Sequence, residues 1–226
     1  MSANVTELSR ISALAEAHHA RLVAVSKTKP SEDILAIYNA NHKIFGENYV
    51  QELVEKQGIL PKDIQWHFIG HLQTNKVKYI APFISMIHSV DDLRLLKEIN
   101  KQAARCHRTI DCLLQIHIAT EETKFGMDEN ELVHLLKEVM VHPENYHQIR
   151  LCGLMGMATN TQDQELIKKE FQTLKALFGK VREKYVAHPP HFKELSMGMS
   201  SDYLIALEEG STLLRIGSLL FGKRNN

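Results

Sequence analysis

RLVAVSKTKP, residues 21–30, is the stretch that decides the fold. Residues 22–25, LVAV, form a short apolar and partly β-branched run, which is typical of a strand buried on both faces of a parallel sheet. Lys27 follows where this strand ends, and α/β folds bind their ligands at the carboxyl ends of their strands. Partial burial there would lower the pKa of such a lysine and free its amine to attack a carbonyl. Taken alone, the stretch favours a solvated lysine that closes a strand, so other motifs must decide.

The remaining chain alternates strand-like and helix-like segments, with no stretch typical of a linker. Predicted strands cover residues 21–26, 43–47, 65–69, 85–90, 112–118, 149–158, 194–199 and 212–217. Predicted helices cover residues 2–19, 31–41, 74–80, 128–141, 164–185 and 202–209, with two more beginning near residues 50 and 92. Ser31, and the run of Ser200, Ser201 and Asp202, are expected to cap helices.

Eight such repeats in 226 residues predict one domain, 1–226, folded as a (β/α)8 TIM barrel. An open doubly wound sheet is the alternative. Little chain follows Phe221 to form an eighth outer helix, so the extra N-terminal helix is expected to cover that gap.

The composition excludes several classes of protein. Lys+Arg and Asp+Glu both number 27, so the formal net charge is +0, which argues against nucleic-acid binding. No apolar run is long enough to span a membrane, and no signal peptide is evident at the start. Cys106, Cys112 and Cys152 show no CxxC spacing, which indicates reduced thiols and a cytoplasmic protein.

The chain has 13 histidines, which raises the question of a metal site. The closest pairs are His67 with His71 and His188 with His191. The first pair falls on a predicted strand and the turn after it, and the second pair falls in the predicted loop 187–192. No carboxylate lies at the spacing of the HExxH motif. No metal site is therefore expected.

In a barrel, several polar residues would meet at one rim. Lys27 and Asn48 follow the first two strands, while Ser200 and Ser201 follow the seventh. Arg215, Gly217 and Ser218 belong to the end of the eighth strand, where TIM barrels often bind phosphate. A helix start and a glycine favour an anion there, although a plain cap and a turn would use the same residues. A phosphorylated aldehyde fits this rim, and pyridoxal phosphate and a sugar phosphate both remain open.

Five motifs, in order, extend the argument to nearly the whole chain: AVSKTKP, FGENYVQE, WHFIGHLQTNK, LSMGMSSD and STLLRIGSLLFG. Together they resemble the YggS/PROSC family of pyridoxal phosphate homeostasis proteins. The resemblance implies a single barrel similar to the cofactor domain of alanine racemases (fold type III). It implies pyridoxal 5'-phosphate held as an internal aldimine on Lys27, with phosphate contacts from Ser200, Gly217 and Ser218. It also implies that Arg215 faces the pyridine nitrogen and that Asn48 lies on the rim.

The same resemblance implies a role in intracellular cofactor homeostasis, in which the protein buffers or delivers pyridoxal phosphate. Its expected partners are the cofactor and apo forms of enzymes that use it, with no nucleic acid and no membrane. It is expected to be a monomer or a weak dimer. Lys29 is a candidate secondary acceptor beside Lys27, because side chains two apart on a continuing strand point the same way.

One motif departs from the family pattern. The family usually has Gln-x-Asn before an E-x-x-K-x-G loop, whereas this chain has Gln115, Ile116 and His117, followed by Lys124 and Gly126. Any ligand role at position 117 is therefore in doubt, and Lys124 is equally well explained as a solvated loop lysine.

Arg215 also bears on catalysis. Arginine cannot accept a proton, so it would disfavour a protonated pyridine and weaken the ring as an electron sink. Racemases of this fold draw a second base from an added domain, for which the barrel leaves no chain. A non-catalytic carrier is therefore expected. The first alternative is an amino-acid racemase in which Tyr49 or Tyr203 supplies the second base, and a sugar-phosphate lyase using Lys27 is the second.

Overall fold

The structure is a computed structural model that describes residues 3–121, 123–185 and 190–222. Its strands form one closed parallel barrel in sequence order, in which the last strand pairs with the first. The strands are β1 (Arg21–Val25), β2 (Ile44–Glu47), β3 (Gln65–Phe68), β4 (Met86–Val90), β5 (Ile110–Ile116), β6 (Ile149–Gly156), β7 (Glu194–Ser196) and β8 (Leu213–Ile216). The predicted TIM barrel is confirmed, and the open sheet is excluded.

Helices surround this barrel. They are α1 (Val5–Ala17), α2 (Ser31–Asn39), α3 (Val50–Ile59), α4 (Val77–Ile80), α5 (Leu93–Arg105), α6 (Glu129–Val141), α7 (Gln164–Lys184), α8 (Tyr203–Glu208) and α9 (Ser218–Phe221), with 3-10 turns at Thr74–Lys76 and Pro143–Tyr146. None of these described helices is long and apolar enough to cross a membrane.

The two faces of β1 show how the sequence builds the barrel. Leu22 and Ala24 belong to the large core between sheet and helices, whereas Val23 packs inside the barrel with residues such as Met86 and Leu213. Burial on both faces explains the continuous apolar run. Lys27 lies in the turn directly after β1, at the carboxyl ends of the strands.

Helix α1 occupies the gap left by the short α9, as the sequence predicted. Asn4 N donates to Leu220 O at 2.7 Å, and Arg10 Nη2 donates to Tyr203 OH at 2.7 Å, so α1 is joined to both α9 and α8. Ile11 is fully buried on its inner face. The N-terminal helix therefore shields apolar surface that a missing eighth helix would expose.

Neither predicted cap forms a side-chain capping hydrogen bond. Helix α2 begins at Ser31 itself, with Pro30 at the N-cap position and no side-chain cap. Helix α8 has Asp202 at its N-cap, but Asp202 Oδ1 accepts a hydrogen bond from Met199 N, so it closes the preceding turn instead. Ser200 and Ser201 lie in that turn and are available to other roles.

Several strand ends also differ from the prediction, each for a local reason. The fifth strand starts at Ile110 because Asp111, which reads as a loop residue, pairs with Arg150 on β6 through a 2.7 Å hydrogen bond. The seventh strand ends at Ser196, since Gly198 has a φ of +93°, which no extended strand allows. Of the predicted loop 187–192, residues 187–189, with His188, lie outside the described residues.

Candidate functional site

A cavity of about 350 Å³ opens at the carboxyl ends of the strands. All six residues predicted for the cofactor line it. The described lining is Val25, Lys27, Lys29, Asn48, Ile69, Met157, Met199, Ser200, Ser201, Arg215, Gly217, Ser218 and Gly222. Its volume lies near the lower end of the roughly 300–1,000 Å³ usual for small-molecule sites. Among the six predicted residues, the barrel thus brings together positions up to 191 apart, Lys27 and Ser218.

A buried ionic network brackets Lys27 in the chain. On one side, Ser26 Oγ donates to Glu47 Oε1 at 2.6 Å, and Lys56 Nζ donates to Ser26 O at 2.7 Å. On the other side, Thr28 N donates to Glu52 Oε1 at 2.6 Å. Lys56 joins the two halves by donating to both carboxylates, at 2.7 and 2.6 Å. Residues 26 and 28 are therefore held from behind, which fixes the backbone that carries Lys27.

Burial sets the electrostatics of this network. Glu47 is fully buried, and desolvation raises the pKa of its carboxyl, while the Lys56 ammonium opposes that rise. Thr28 has a φ of +62°, so its backbone turns sharply after Lys27. The hydrogen bond from Thr28 N to Glu52 stabilises this uncommon conformation.

The turns after β7 and β8 meet at another wall of the cavity. Gly217 N donates to Ser200 Oγ at 3.3 Å. Gly198 shapes the first turn, because an added Cβ would lie 2.5 Å from Ala206 Cβ and the φ of +93° disfavours any side chain. Ser200, Gly217 and Ser218 therefore present hydroxyls and amides on one surface, a suitable arrangement for an anion.

Arg215 forms the base of the cavity. Its Nη1 donates to Ser196 Oγ at 2.6 Å and its Nη2 donates to Gly156 O at 2.9 Å. The side chain is nearly fully buried, and burial lowers the pKa of Arg215 to about 10, an effect that the Asp202 carboxylate partly opposes. The guanidinium thus remains charged at neutral pH.

Asn48 lies at the junction between this cavity and a neighbouring surface pocket lined by Tyr49, His71 and Lys76. Its Oδ1 atom is buried and accepts no hydrogen bond within the part of the chain that the structure describes. Gly70 allows this placement, since a Cβ there would lie 2.4 Å from Asn48 O. A bound molecule with a donor group would satisfy this oxygen.

Comparisons with known proteins show the family to which this chain belongs. The family "Alanine racemase, N-terminal domain" matches residues 2–225. The Pyridoxal phosphate homeostasis protein of Aquifex aeolicus is 39% identical over 206 residues, covering 91% of this chain and 87% of that protein. The chain belongs to the pyridoxal phosphate homeostasis protein family.

Solved structures give the same result. PipY of Synechococcus elongatus, a 30% identical relative, has been solved without and with PLP bound, with TM-scores of 0.84 and 0.81. Both comparisons cover 96% of this chain and 99% of PipY. Alanine racemase from Bartonella henselae, at 15% identity and a TM-score of 0.69, shares the fold over 100% of this chain and 65% of its own.

Within this family member, the first strand does not continue to Lys29, so strand alternation does not give Lys29 and Lys27 a common direction. The strand ends at Val25 and the backbone turns at Thr28. Lys29 still lines the cavity, and its Nζ donates to Phe221 O at 2.8 Å and to Gly222 O at 3.2 Å. These contacts join the first strand's loop to the end of α9.

The departure at His117 concerns a loop beside the cavity. His117 Nε2 forms a 2.9 Å hydrogen bond with Glu121 O, and Lys124 Nζ donates to Ala158 O at 2.6 Å. Neither side chain is among the described residues that line the cavity. Lys124 holds the loop after β5 against the chain after β6, whereas the contact of His117 lies within the loop after β5.

Neither tyrosine considered as a second base is among the described lining residues. Tyr203 is buried, and its hydroxyl accepts a hydrogen bond from Arg10 on α1, outside the barrel. Tyr49 is 54% exposed and lines the neighbouring pocket. The described lining therefore gives no support to either tyrosine as a second base.

The histidines show no metal cluster, since no group of three His, Cys, Asp or Glu side chains suited to a metal ion occurs among the described residues. His71 lies 3.3 Å from Asp91 Oδ2 and stacks on Phe125. His67 instead points into the barrel, toward His88. This contact was not predicted from the sequence, although the alternation of side chains along β3 and β4 points both histidines inward.

Proposed function

We propose that this chain binds pyridoxal 5'-phosphate through Lys27 and serves in the homeostasis of that cofactor, as its relatives are named for doing. One observation carries the proposal. The same cavity of about 350 Å³ is lined by Lys27, by Arg215 and by the surface that Ser200, Gly217 and Ser218 form. An amine, an anion-binding surface and a permanent cation match the aldehyde, phosphate and ring nitrogen of the cofactor.

Each residue has a distinct proposed role. Lys27 would hold the cofactor through its amine, and the aldehyde that pyridoxal phosphate supplies would make this attachment reversible, with one water released on binding. Ser200, Gly217 and Ser218 hold the phosphate through hydroxyl and amide donors. Arg215 faces the ring nitrogen. At the rim, Asn48 Oδ1 accepts a hydrogen bond from a donor group of the bound molecule.

The proposed role is storage and delivery rather than catalysis. Arg215 cannot accept a proton from the ring or give up its own at neutral pH, so it does not promote the electron-sink chemistry of racemases. Racemisation also needs bases on both faces of the substrate, and neither candidate tyrosine is among the described residues that line the cavity. Support for a racemase is therefore limited to the shared fold.

The proposed setting is the cytoplasm, where apo forms of enzymes that use pyridoxal phosphate would receive it from a monomer or weak dimer of this chain. Cys106, Cys112 and Cys152 are all free thiols, which suits a reducing compartment. The cavity opens at the rim of the barrel, so a bound cofactor has a route to a recipient.

Absorption spectroscopy followed by chemical trapping tests the proposal. The purified protein is incubated with pyridoxal phosphate, its near-ultraviolet and visible spectrum is recorded, and the complex is reduced with borohydride and digested. We expect a yellow complex whose reduced adduct maps to the peptide containing Lys27. Lys27→Ala should abolish the absorption, whereas Lys29→Ala and the remote, exposed Lys43→Ala should retain it.

An adduct that maps elsewhere in the wild-type protein would reject Lys27 as the acceptor. A protein that stays colourless at saturating cofactor would reject the proposed function and reopen the sugar-phosphate alternative. Formation of D-amino acids at ordinary enzymatic turnover of about 1–1,000 per second, dependent on Lys27, would replace storage with racemisation.

A further inference from the structure

Four polar side chains form a hydrogen-bonded network through the otherwise apolar interior of the barrel. From the base of the cavity, Arg215 Nη1 donates to Ser196 Oγ at 2.6 Å, and His88 Nδ1 lies 3.0 Å from the same oxygen. His88 Nε2 then lies 2.9 Å from His67 Nδ1. These side chains come from β8, β7, β4 and β3, so the network crosses the barrel.

The surroundings of this network are unusual for polar side chains. His88 and Ser196 are fully buried, and His67 and Arg215 are 3% and 4% exposed. They are packed beside an interior cluster of Val23, Met86, Leu113, Cys152, Met155 and Leu213. Polar groups in such surroundings are costly unless every one is hydrogen-bonded. A barrel interior is usually filled with Val, Ile and Leu, so stability alone would favour apolar side chains here.

The donors and acceptors favour one direction for this network. Arginine can only donate, so Ser196 Oγ accepts from Arg215. The hydroxyl proton of Ser196 then goes to His88 Nδ1, and His88 Nε2–H donates to His67 Nδ1. The reverse order would leave the Ser196 proton with no acceptor among the described residues. In this direction both rings are neutral and carry their proton on Nε2.

Burial agrees with neutral rings. Desolvation lowers the pKa of His67 to about 3 and lowers the pKa of His88 well below its usual value. The Arg215 guanidinium adds to the effect at His88, and Arg21, near the other end of the barrel, adds to it at both. A neutral His88 can accept a hydrogen bond from Ser196, as the direction of the network requires.

We propose that Ser196 and His88 are positioning residues that hold the Arg215 guanidinium in one orientation at the base of the cavity, and that this orientation sets cofactor affinity and spectrum. His67 supports them by fixing the tautomer of His88. The inference rests on the proposed function. It adds that the ring-nitrogen contact depends on side chains that do not line the cavity.

Removing the Ser196 hydroxyl tests the inference. In Ser196→Ala, Arg215 keeps its contact with Gly156 O but loses the second acceptor that fixes its plane. We expect pyridoxal phosphate to bind roughly tenfold more weakly, as for loss of a hydrogen bond to a charged group. We also expect the ratio of its two main absorption bands to change, which a purely structural role would not produce. Ser196→Thr should restore both.

Ser89→Ala is the matched control. Ser89 is also a fully buried serine, it adjoins His88 on β4, and its hydroxyl has no hydrogen bond among the described residues. Its removal should leave affinity and spectrum unchanged. His88→Phe should reproduce the effect of Ser196→Ala. The double variant should bind pyridoxal phosphate no more weakly than the single variant with the lower affinity, because the two residues act through one contact.

Nitrogen-15 spectra of the protein without cofactor supply an independent readout. We expect two buried histidines whose Nε2 carries the proton, and Ser196→Ala should shift the His88 signals. Failure of the wild-type protein to take up pyridoxal phosphate would overturn both the proposed function and this inference. Uptake by the wild type together with unchanged binding and spectrum in Ser196→Ala would overturn the inference alone, as would Nδ1–H tautomers.

Discussion

Lys56 Nζ lies 2.7 Å from Glu47 Oε1, and both side chains are buried behind the loop that carries Lys27. Removing one partner of a buried pair leaves the other charge uncompensated. We therefore expect Lys56→Met to lower the free energy of unfolding by about 3–5 kcal/mol, measured by urea denaturation. Because Lys56 also binds Ser26 O, the variant should take up cofactor more weakly than the wild type.

The exposed pair of Lys43 and Asp63 provides the comparison for Lys56. Water screens this pair, so Lys43→Met should leave stability nearly unchanged. Equal effects of the two substitutions would mean that the buried network contributes nothing beyond a surface ion pair.

His67 should make stability depend on pH. Its pKa is about 3 in the folded protein because burial disfavours the charged ring, against about 6.5 in an unfolded chain. Below pH 6.5 the unfolded chain gains a proton that the folded protein does not. The stability from His67 is therefore complete above pH 6.5 and falls as the pH drops toward 3, by roughly 2 kcal/mol at pH 5.

Urea denaturation of the wild type and of His67→Phe at pH 7 and pH 5 measures this effect. The variant should lose less stability between the two pH values. His18→Gln, at an exposed position on the end of α1, should behave as the wild type. An unchanged pH dependence in His67→Phe would show that the buried ring titrates normally.

Gly198 should be intolerant of substitution. A Cβ there would lie 2.5 Å from Ala206 Cβ, at a φ of +93°, so Gly198→Ala must displace the turn that carries Ser200. We expect weaker binding of pyridoxal phosphate, with a smaller loss for pyridoxal, which has no phosphate. Titration followed by absorption compares the two ligands.

Gly58→Ala is the control for Gly198→Ala. Gly58 lies in α3, and nothing lies within 4 Å of an added Cβ. Alanine there should raise stability by about 0.5–1 kcal/mol and leave binding intact. Equal losses for the two ligands in Gly198→Ala would contradict a role for this turn at the phosphate.

The contribution of α1 can be measured at Ile11. This side chain is fully buried between α1 and the barrel, so Ile11→Ala should cost roughly 2–5 kcal/mol through lost burial and a cavity. Val5→Ala, at a 40% exposed position on the same helix, should cost much less. If the two costs are equal, α1 does not cover the barrel as a packed element.

The sequence predicted the barrel because burial on both faces leaves a direct trace in strands such as LVAV at residues 22–25. It also predicted which residues meet at the rim, since every strand in a parallel barrel ends at the same face. The meeting of Lys27 with Arg215 therefore follows from topology. The resemblance to a known family added the chemistry that the residue types alone left open.

The parts that the sequence could not predict depend on three-dimensional partners. Asp111 looks like a loop residue until Arg150 is placed beside it on the next strand. Lys56 reads as a solvated helix lysine, and only the β2–α3 packing shows that it joins Glu47 and Glu52. Long polar side chains form such contacts across elements, and no local periodicity records them.

The polar network inside the barrel has a consequence for the evolution of this protein. Apolar residues at positions 67, 88 and 196 could fill the same volume without the cost of burying polar groups, and such replacements often stabilise a fold. A selection for thermal resistance alone should therefore enrich apolar substitutions at these positions, at the expense of ligand binding. The barrel interior would record a trade-off between robustness and the work that the protein does.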